Sequence, residues 1–549
     1  MNVGHMNKNM KSSRQTDYIV ASCFAILALV VFLPQGFSQL PTAETWFLAN
    51  NAIHTNFTQI LHVKPRMFLH FFWYVVMAVN DHSFVHINLL FPVLFFLRAW
   101  LFFFIVRRLW PGHTAVAFAA AAMFAYHPAD IGYFWFCTVS IMMALVVALG
   151  CVALLLVYWQ GGPTWLLAPM VALQTCVLWG YEGFIPALLV APMTLYILPT
   201  QSNRKALPVL ALWSVMPCMW FFYMTVAAGA SGSRAHKLFV FDLPHVLEGL
   251  TFGYQWVLLQ SWTKAAQITP SYLEFVLAGI AGIVVGSVSL RLARKQEEHD
   301  VNRRAWLAVI FVALVLLFLA RIPFVLTPLY LAKGRAMFLA GASGALVTSA
   351  FCWLLSVRFG SYRPIVFSIM VGILVSFTVL HGIANRNRFT AVGTKRGIEL
   401  ARILEAAPRV KPNTVILVDL ESDSQYRMFA EYPNILNGAL KLLGGSPVGS
   451  SISPGPIGAE PQFDFGSDTV SVLTYKNSKR RSYPLRNLVV IGVTDDGKSA
   501  VLDTIPSSLI GSNPSPPSYQ PYQRIVSGSY YSRACTMLNG AALPSFCPQ

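Results

Sequence analysis

Glu44 stands in Leu40-Pro-Thr-Ala-Glu-Thr-Trp-Phe-Leu-Ala-Asn-Asn51, with Trp46, Ala49, Ile53, Phe57 and Ile60 following at spacings of three and four. That spacing is a helix stripe, so the carboxylate falls in the first turn of a helix lying in a membrane interface. Held there it can take a proton from a hydroxyl, or simply complement the helix dipole. Lys64 and Arg66 flank Pro65, and Arg321, Lys333 and Arg335 stand around Pro323 and Pro328. Arg offers a phosphate a bidentate fork and Lys a point charge, although headgroup anchoring uses the same chemistry. His127 and Asp130, in Tyr126-His-Pro-Ala-Asp130, can hold a phosphate or orient a base, or form a polar turn stopped by Pro128. Glu182 lies in Trp179-Gly-Tyr-Glu-Gly183 between two apolar runs. Partial burial there would raise its pKa unless a cation is close.

The elements that position these groups follow from composition. Of 549 residues, 55% are hydrophobic and 11% charged, against about 25% charged in soluble domains, which excludes a soluble enzyme. Only 11 of the 23 acids lie in residues 1–384. The chain therefore divides into a membrane domain, 1–384, and a polar domain, 385–549. Runs near the roughly 20 apolar residues of a spanning helix occur at Tyr18–Gly36, Phe84–Val106, Thr114–Tyr126, Tyr133–Tyr158, Trp165–Trp179 and Gly183–Leu198. Others occur at Ala206–Ala228, Tyr272–Ala293, Ala305–Phe324, Arg335–Leu355 and Tyr362–Ala384. The expectation is a mainly α, polytopic protein of about eleven transmembrane helices.

The net charge of +17 would suit nucleic acid if Lys and Arg gathered on one face. They fall between the apolar runs instead, as topology signals do, so no nucleic-acid partner is expected. With a cytoplasmic N-terminus, the clusters Arg107-Arg108, Arg204-Lys205, Arg291 to Arg304, and Arg358 with Arg363 all fall inside. Glu44, Asp81, Asp130, Glu182, Asp242, Glu248 and Glu274 then gather outside, with the C-terminal domain. Six cysteines lie in apolar segments, and only Cys535 and Cys547 lie in a polar one, close enough to pair. A bond there would fit an oxidising compartment. The first apolar run reads as an anchor, without a cleavage site.

Residues 230 to 271 read as a long outer loop, rich in Phe, Leu and Trp from Leu238 to Trp262. It suits an interfacial packing helix or a wall of the site. Beyond Arg386, helical patterns at Thr394–Ala407 and Ser424–Leu443, a β-branched run at Thr414–Leu420 and a hairpin over 488–502 predict a small α/β domain. A Pro/Ser-rich tail runs from Pro506 to Pro521.

Taken in order, these features resemble the GT-C class of polytopic glycosyltransferases, including the membrane core of protein O-mannosyltransferases. The resemblance rests on an acid near Trp46-Phe47-Leu48 and on Lys64-Pro-Arg-Met67, similar to the family's Arg-Pro-Leu stretch. It continues through Val85-His-Ile-Asn-Leu89, Arg107-Arg108, Phe124-Ala-Tyr-His-Pro128, Tyr181-Glu182 where the family often has Lys-Glu, and Arg335 before a late span. The chain departs from the pattern at Ala43, where members often carry a second acid, at the reversed Pro65-Arg66, and at Tyr181.

The resemblance implies transfer of a sugar, with inversion, from a polyprenyl-phosphate-linked donor. The acceptor would be a glycan, lipid or protein at the extracytoplasmic face of a bacterial inner membrane. Glu44 would be the general base. Lys64, Arg66, Lys333 and Arg335 would hold the donor phosphate, and His127, Asp130 and Glu182 the sugar or acceptor. Some members use a divalent metal bound by paired acids; an unpaired Glu44 favours no metal and no cofactor. Two other functions remain open: a lipid-carrier flippase, which needs polar groups deep in several spans, and a non-catalytic scaffold in envelope polysaccharide assembly.

Overall fold

The computed structural model describes residues 3–42, 44–54, 66–185, 188, 191–193, 206–230, 242–296, 303–327, 330–407, 410–411 and 414–420. It further describes 433–444, 450–452, 463–473, 480–493, 498–506, 519–525 and 532–538. The chain opens with α1 (Val3–Val30), α2 (Glu44–His54), α3 (Met67–Val79) and α4 (Val85–Leu109). Next come α5 (Thr114–Ala125), α6 (Val139–Trp159), α7 (Leu167–Leu178) and α8 (Ala206–Ala230). The helices α9 (Leu243–Gln255), α10 (Ser261–Ala266), α11 (Tyr272–Arg294), α12 (Arg303–Val325), α13 (Ala340–Ser356) and α14 (Arg363–Ala406) complete the bundle.

Among the described residues, four stretches are long and apolar enough to cross a membrane: Val85–Leu109, Phe136–Trp159, Tyr272–Arg294 and Ala340–Ala406, the last broken at Gly360 between α13 and α14. Shorter apolar helices occupy Gln15–Val30, Met67–Val79, Thr114–Ala125, Thr164–Leu178, Pro208–Trp220 and Val309–Val325. The protein is thus a polytopic helical membrane protein. Most of the run expected at 183–198 lies outside the described residues, and Met67–Val79, too short to read as an obvious crossing, is a helix.

Two features of the bundle bear on the site. The helix α5 has twelve residues, about 18 Å, and cannot by itself cross a core of about 30 Å. The turn that follows it, expected at the outer surface, is therefore sunk into the bundle, and every described side chain from Tyr126 to Asp130 is buried. The second feature is the close contact of α11 with α14. A Cβ on Gly282 would sit 2.1 Å from Ser376 Oγ and 2.6 Å from the Gly372 carbonyl oxygen. Small residues let two backbones approach where lipid supplies no hydrophobic drive.

The 44-residue α14, about 66 Å long, runs straight through the composition boundary at 384/385. Asn387 on it donates to Glu274, which also forms the capping box of α11 with Ser271. Residues 388–406 therefore continue past the end of α11 and carry the chain into the polar domain.

That domain holds a sheet of order β2-β1-β6-β7, made of β1 (Val415–Leu420), β2 (Ser450–Ile452), β6 (Leu488–Val493) and β7 (Ser499–Val501). Strand β1 runs parallel to β2 and β6, while β6 and β7 form the expected hairpin. A second antiparallel sheet joins β3 (Phe463–Phe465), β4 (Thr469–Leu473) and β5 (Arg480–Pro484). Between β1 and β2 lies α15 (Pro433–Gly444), which packs on α2 closely enough that a Gly438 Cβ would meet Phe47 Cα at 2.7 Å. The last described helix, α16 (Ser532–Leu538), bears Cys535 in a disulfide; Cys547 lies outside the described residues.

Candidate functional site

The stretch 126–138 between α5 and α6 is the hub of the site. Its backbone leaves the helical ladder inside the bundle, where its buried polar groups must be satisfied by protein. Asp130 accepts from Arg98 Nη1 at 3.2 Å, and both side chains have zero exposure. Arg98 lies about 20 Å along α4 from Val85, with its guanidinium carbon 4.0 Å from the Phe124 ring centroid. Arg98 Nε and Nη2 and His127 Nε2 are buried without a hydrogen-bond partner among the described residues. His127 accepts at Nδ1 from the Ala129 amide, 3.2 Å away, and meets Trp262 edge-on at 5.3 Å. Gly341 and Gly344 of α13 admit this ring, since a Cβ on Gly344 would lie 2.8 Å from His127 Nε2.

Four elements are tied to this hub. Trp256 Nε1 donates to the Ala129 carbonyl at 2.9 Å. Gln39 Nε2 donates to Phe134 O at 2.6 Å, which pins the linker between α1 and α2. Arg386 of α14 holds the same linker, donating to Gln39 Oε1 at 3.3 Å and to the Gly36 carbonyl. The 136–138 turn packs against α2. Trp46 of α2 is wholly buried, bonded through its indole to Pro41 O at 3.2 Å and edge-on to Phe84 at 5.5 Å. Glu44 opens α2 from the end that this linker fixes; its side chain is not among those described.

Trp256 begins a π-helical turn, Trp256–Gln260, between α9 and α10. Such turns occur where a helix must re-aim its side chains, frequently at functional sites. Here the turn presents the indole to two cations. Lys333 Nζ lies 4.1 Å from a Trp256 ring centroid and 5.6 Å from that of Phe252, and Lys264 Nζ lies 5.1 Å from Trp256. Burial and the charge of Lys264 hold the Lys333 pKa below the ordinary lysine value. The segment bearing Lys333 is fixed by buried Arg321, which donates to Ala332 O at 3.2 Å and to Tyr330 O.

Arg66 lies in a separate contact, 5.7 Å over the Tyr181 ring, and the adjoining Phe68 amide donates to Trp179 O at 3.2 Å. Arg66 therefore neighbours the turn bearing Glu182. That turn, the Gly334–Met337 turn bearing Arg335, and α9 all pack against α12. The structure thus groups Lys333 with the His127–Asp130 turn through Trp256, and Arg66 with the Glu182 turn. The side chains of Glu182 and Arg335, and all of Lys64, lie outside the described part. His127 and Asp130 are sealed in the bundle, so a ligand reaches neither side chain unless the surrounding helices part. Among the described residues, no three His, Cys, Asp or Glu side chains gather as metal ligands.

Sequence reasoning passed over Arg98, Lys264 and Trp256. A lone Arg inside an apolar span was signal enough for the first. Lys264 is an isolated cation after Trp262, and nothing local links it to Lys333.

No family model and no curated protein matches this chain. Among solved structures it is similar to the crystal structure of ArnT from Cupriavidus metallidurans bound to undecaprenyl phosphate. The two are 14% identical over 77% of this chain and 84% of that one, with a TM-score of 0.34.

Proposed function

We propose that the chain is an integral-membrane glycosyltransferase that moves a sugar from a polyprenyl-phosphate-linked donor to an acceptor hydroxyl at the extracytoplasmic face. One observation carries the reading: two lysines, Lys333 and Lys264, share the indole of Trp256, which a π turn presents beside a buried loop of an apolar bundle. Paired ammonium groups suit an anionic leaving group, and aromatic rings suit a sugar face or an isoprenoid chain. In the proposed reaction Glu44 takes the acceptor proton as the acceptor oxygen bonds to the anomeric carbon. The old bond from that carbon to the phosphate oxygen breaks, and its electron pair leaves with the polyprenyl phosphate. Lys333 and Lys264, with Lys64, Arg66 and Arg335, stabilise the charge growing on that phosphate, usually the dominant electrostatic contribution. Glu182 orients the sugar or acceptor. His127 and Asp130 act through the turn whose Ala129 carbonyl fixes Trp256.

With Ala43 beside Glu44 the base is a single carboxylate, and the reaction as written needs no metal. Full-length protein incubated with radiolabelled polyprenyl-phosphate sugar and an acceptor extract should transfer label. The Glu44→Gln variant should lose at least 100-fold in turnover, within the range of general-base contributions. Equal turnover in both proteins would remove Glu44 from the mechanism. A chelator should leave turnover unchanged, whereas loss restored by magnesium or manganese would bring a metal into the reaction.

A flippase is the second reading, favoured by the buried pair that Arg98 of the spanning helix α4 makes with Asp130 of the 126–138 stretch. Movement of the labelled lipid across proteoliposomes without cleavage of its sugar–phosphate bond would select it.

A further inference from the structure

The Arg107 end of α4, away from the Trp256 lysines, holds a second polar feature that the proposed reaction does not use. A cavity of about 530 Å³ opens there, lined by Asp17, Trp100, Phe104, Arg107, Arg108 and Gln160 among others. Asp17 pairs with Arg107, and Gln160 accepts from Arg108, so both guanidiniums are held in place. Arg108 lies 4.5 Å over Phe104, and Trp100 stacks on Phe96 at 6.3 Å with 9° between the planes. Trp100 is seven residues before Arg107, about 10 Å deeper along the helix. Positive charge therefore sits at the helix-end side of the cavity and aromatic surface lines the part further along the apolar helix. Among the described residues lining the cavity, two guanidiniums and one carboxylate leave a net charge of +1.

We propose that this cavity binds one anionic phospholipid, its phosphodiester on Arg108 and Arg107 and an acyl chain along Phe104 and Trp100. A phosphodiester carries one negative charge, which matches the cavity. Among the described residues lining the cavity, Asp17 is the one carboxylate and Arg107 engages it, so none is left for the ammonium of a zwitterionic headgroup. Basic pockets between membrane helices bind lipid headgroups by this chemistry. A cation on an open helix end would attract lipid only diffusely, whereas a walled cavity defines one bound molecule.

Native mass spectrometry of the detergent-purified full chain, titrated with dioleoyl phosphatidylglycerol, tests this. One tightly bound lipid is expected, with dioleoyl phosphatidylcholine at least 10-fold weaker and a 100-fold excess of inorganic phosphate unable to displace it. The Arg108→Gln variant should weaken the bound lipid at least 10-fold, and Arg291→Gln, at an exposed cation of α11, should leave it unchanged. Equal weakening in the two variants would reduce the effect to general surface charge and overturn the site. Equal binding of phosphatidylcholine would overturn the anionic selectivity, and displacement by inorganic phosphate would replace the lipid with a free anion. Should Arg108→Gln fail to fold, brominated phosphatidylglycerol decides. It should quench wild-type fluorescence more than that of Trp100→Phe, and equal quenching would refute contact with Trp100.

Discussion

Removing Arg98 would leave the Asp130 carboxylate buried with its cation gone, and removing Asp130 would strand the guanidinium in the same way. Breaking a buried pair from one side costs about 3–5 kcal/mol, whereas replacing both members by apolar residues is often close to neutral. Arg98→Met should therefore lower the thermal midpoint in detergent sharply, and Arg98→Met combined with Asp130→Leu should recover much of the loss. Additive losses would mean that the two side chains do not act as a pair. At the Trp256 lysines the expected effect is on pH dependence. Lys264 and burial hold Lys333 below its usual pKa, so Lys333 loses its proton, and its hold on a phosphate, at lower pH than an ordinary lysine. The alkaline limb of donor binding should move to higher pH in Lys264→Gln, because the variant removes the like charge that favours deprotonation. An unmoved limb would dissociate the two ammonium groups. Neither pairing could be read locally. Lys264 and Lys333 are far apart in sequence, and only a π turn and an Arg321-held segment bring them to one ring.

Among the elements, those whose own pattern sets their length were the most legible. The Val85–Leu109 and Tyr272–Arg294 helices and the 488–501 hairpin lie close to where hydropathy and turn residues predict them. The sunken 126–138 loop was not legible, because an alanine-rich run at 114–125 reads as a span whether or not it reaches the far surface. Its depth is set by tertiary partners: Arg98 below, Gly341 and Gly344 beside, and Trp256 bonded to its carbonyl. Those glycines are where the element can be perturbed most cleanly. A Gly344→Ala methyl would lie 2.5 Å from Val257 Cγ1 and 2.8 Å from His127 Nε2. Overpacking of this kind costs about 1–3 kcal/mol. The variant should lose stability and, by displacing the turn that anchors Trp256, raise the KM for donor more than it lowers kcat. A change in kcat alone would separate the loop from donor binding.

For the whole molecule, composition alone divided the chain into an apolar part and a polar part, yet α14 passes through the division unbroken. The arrangement of basic clusters predicts that the cavity at Arg107 and the polar domain face opposite sides of the membrane. A cysteine placed at exposed Gln160, in a background with the exposed native Cys218 replaced, should resist an impermeant thiol reagent in intact cells and react after permeabilisation. A cysteine at Asp468 of the polar domain should react in both. The reverse labelling would invert the topology and move the proposed reaction to the cytoplasmic face.

The unbroken α14 also has a mechanical consequence. About 28 Å of this rod stands beyond Asn387, and beside it lie the α1–α2 linker at Gly393 and, through β7, the sheet of the polar domain. A tilt of about 5° would displace the tip of a 66 Å lever by about 6 Å, given the rise per residue of an α-helix. Because α15 rests on α2, a load on the polar domain is also a torque on the helix that begins with Glu44. An acceptor that seats on that domain would thus be coupled, through rigid leverage rather than direct touch, to the carboxylate proposed to deprotonate it.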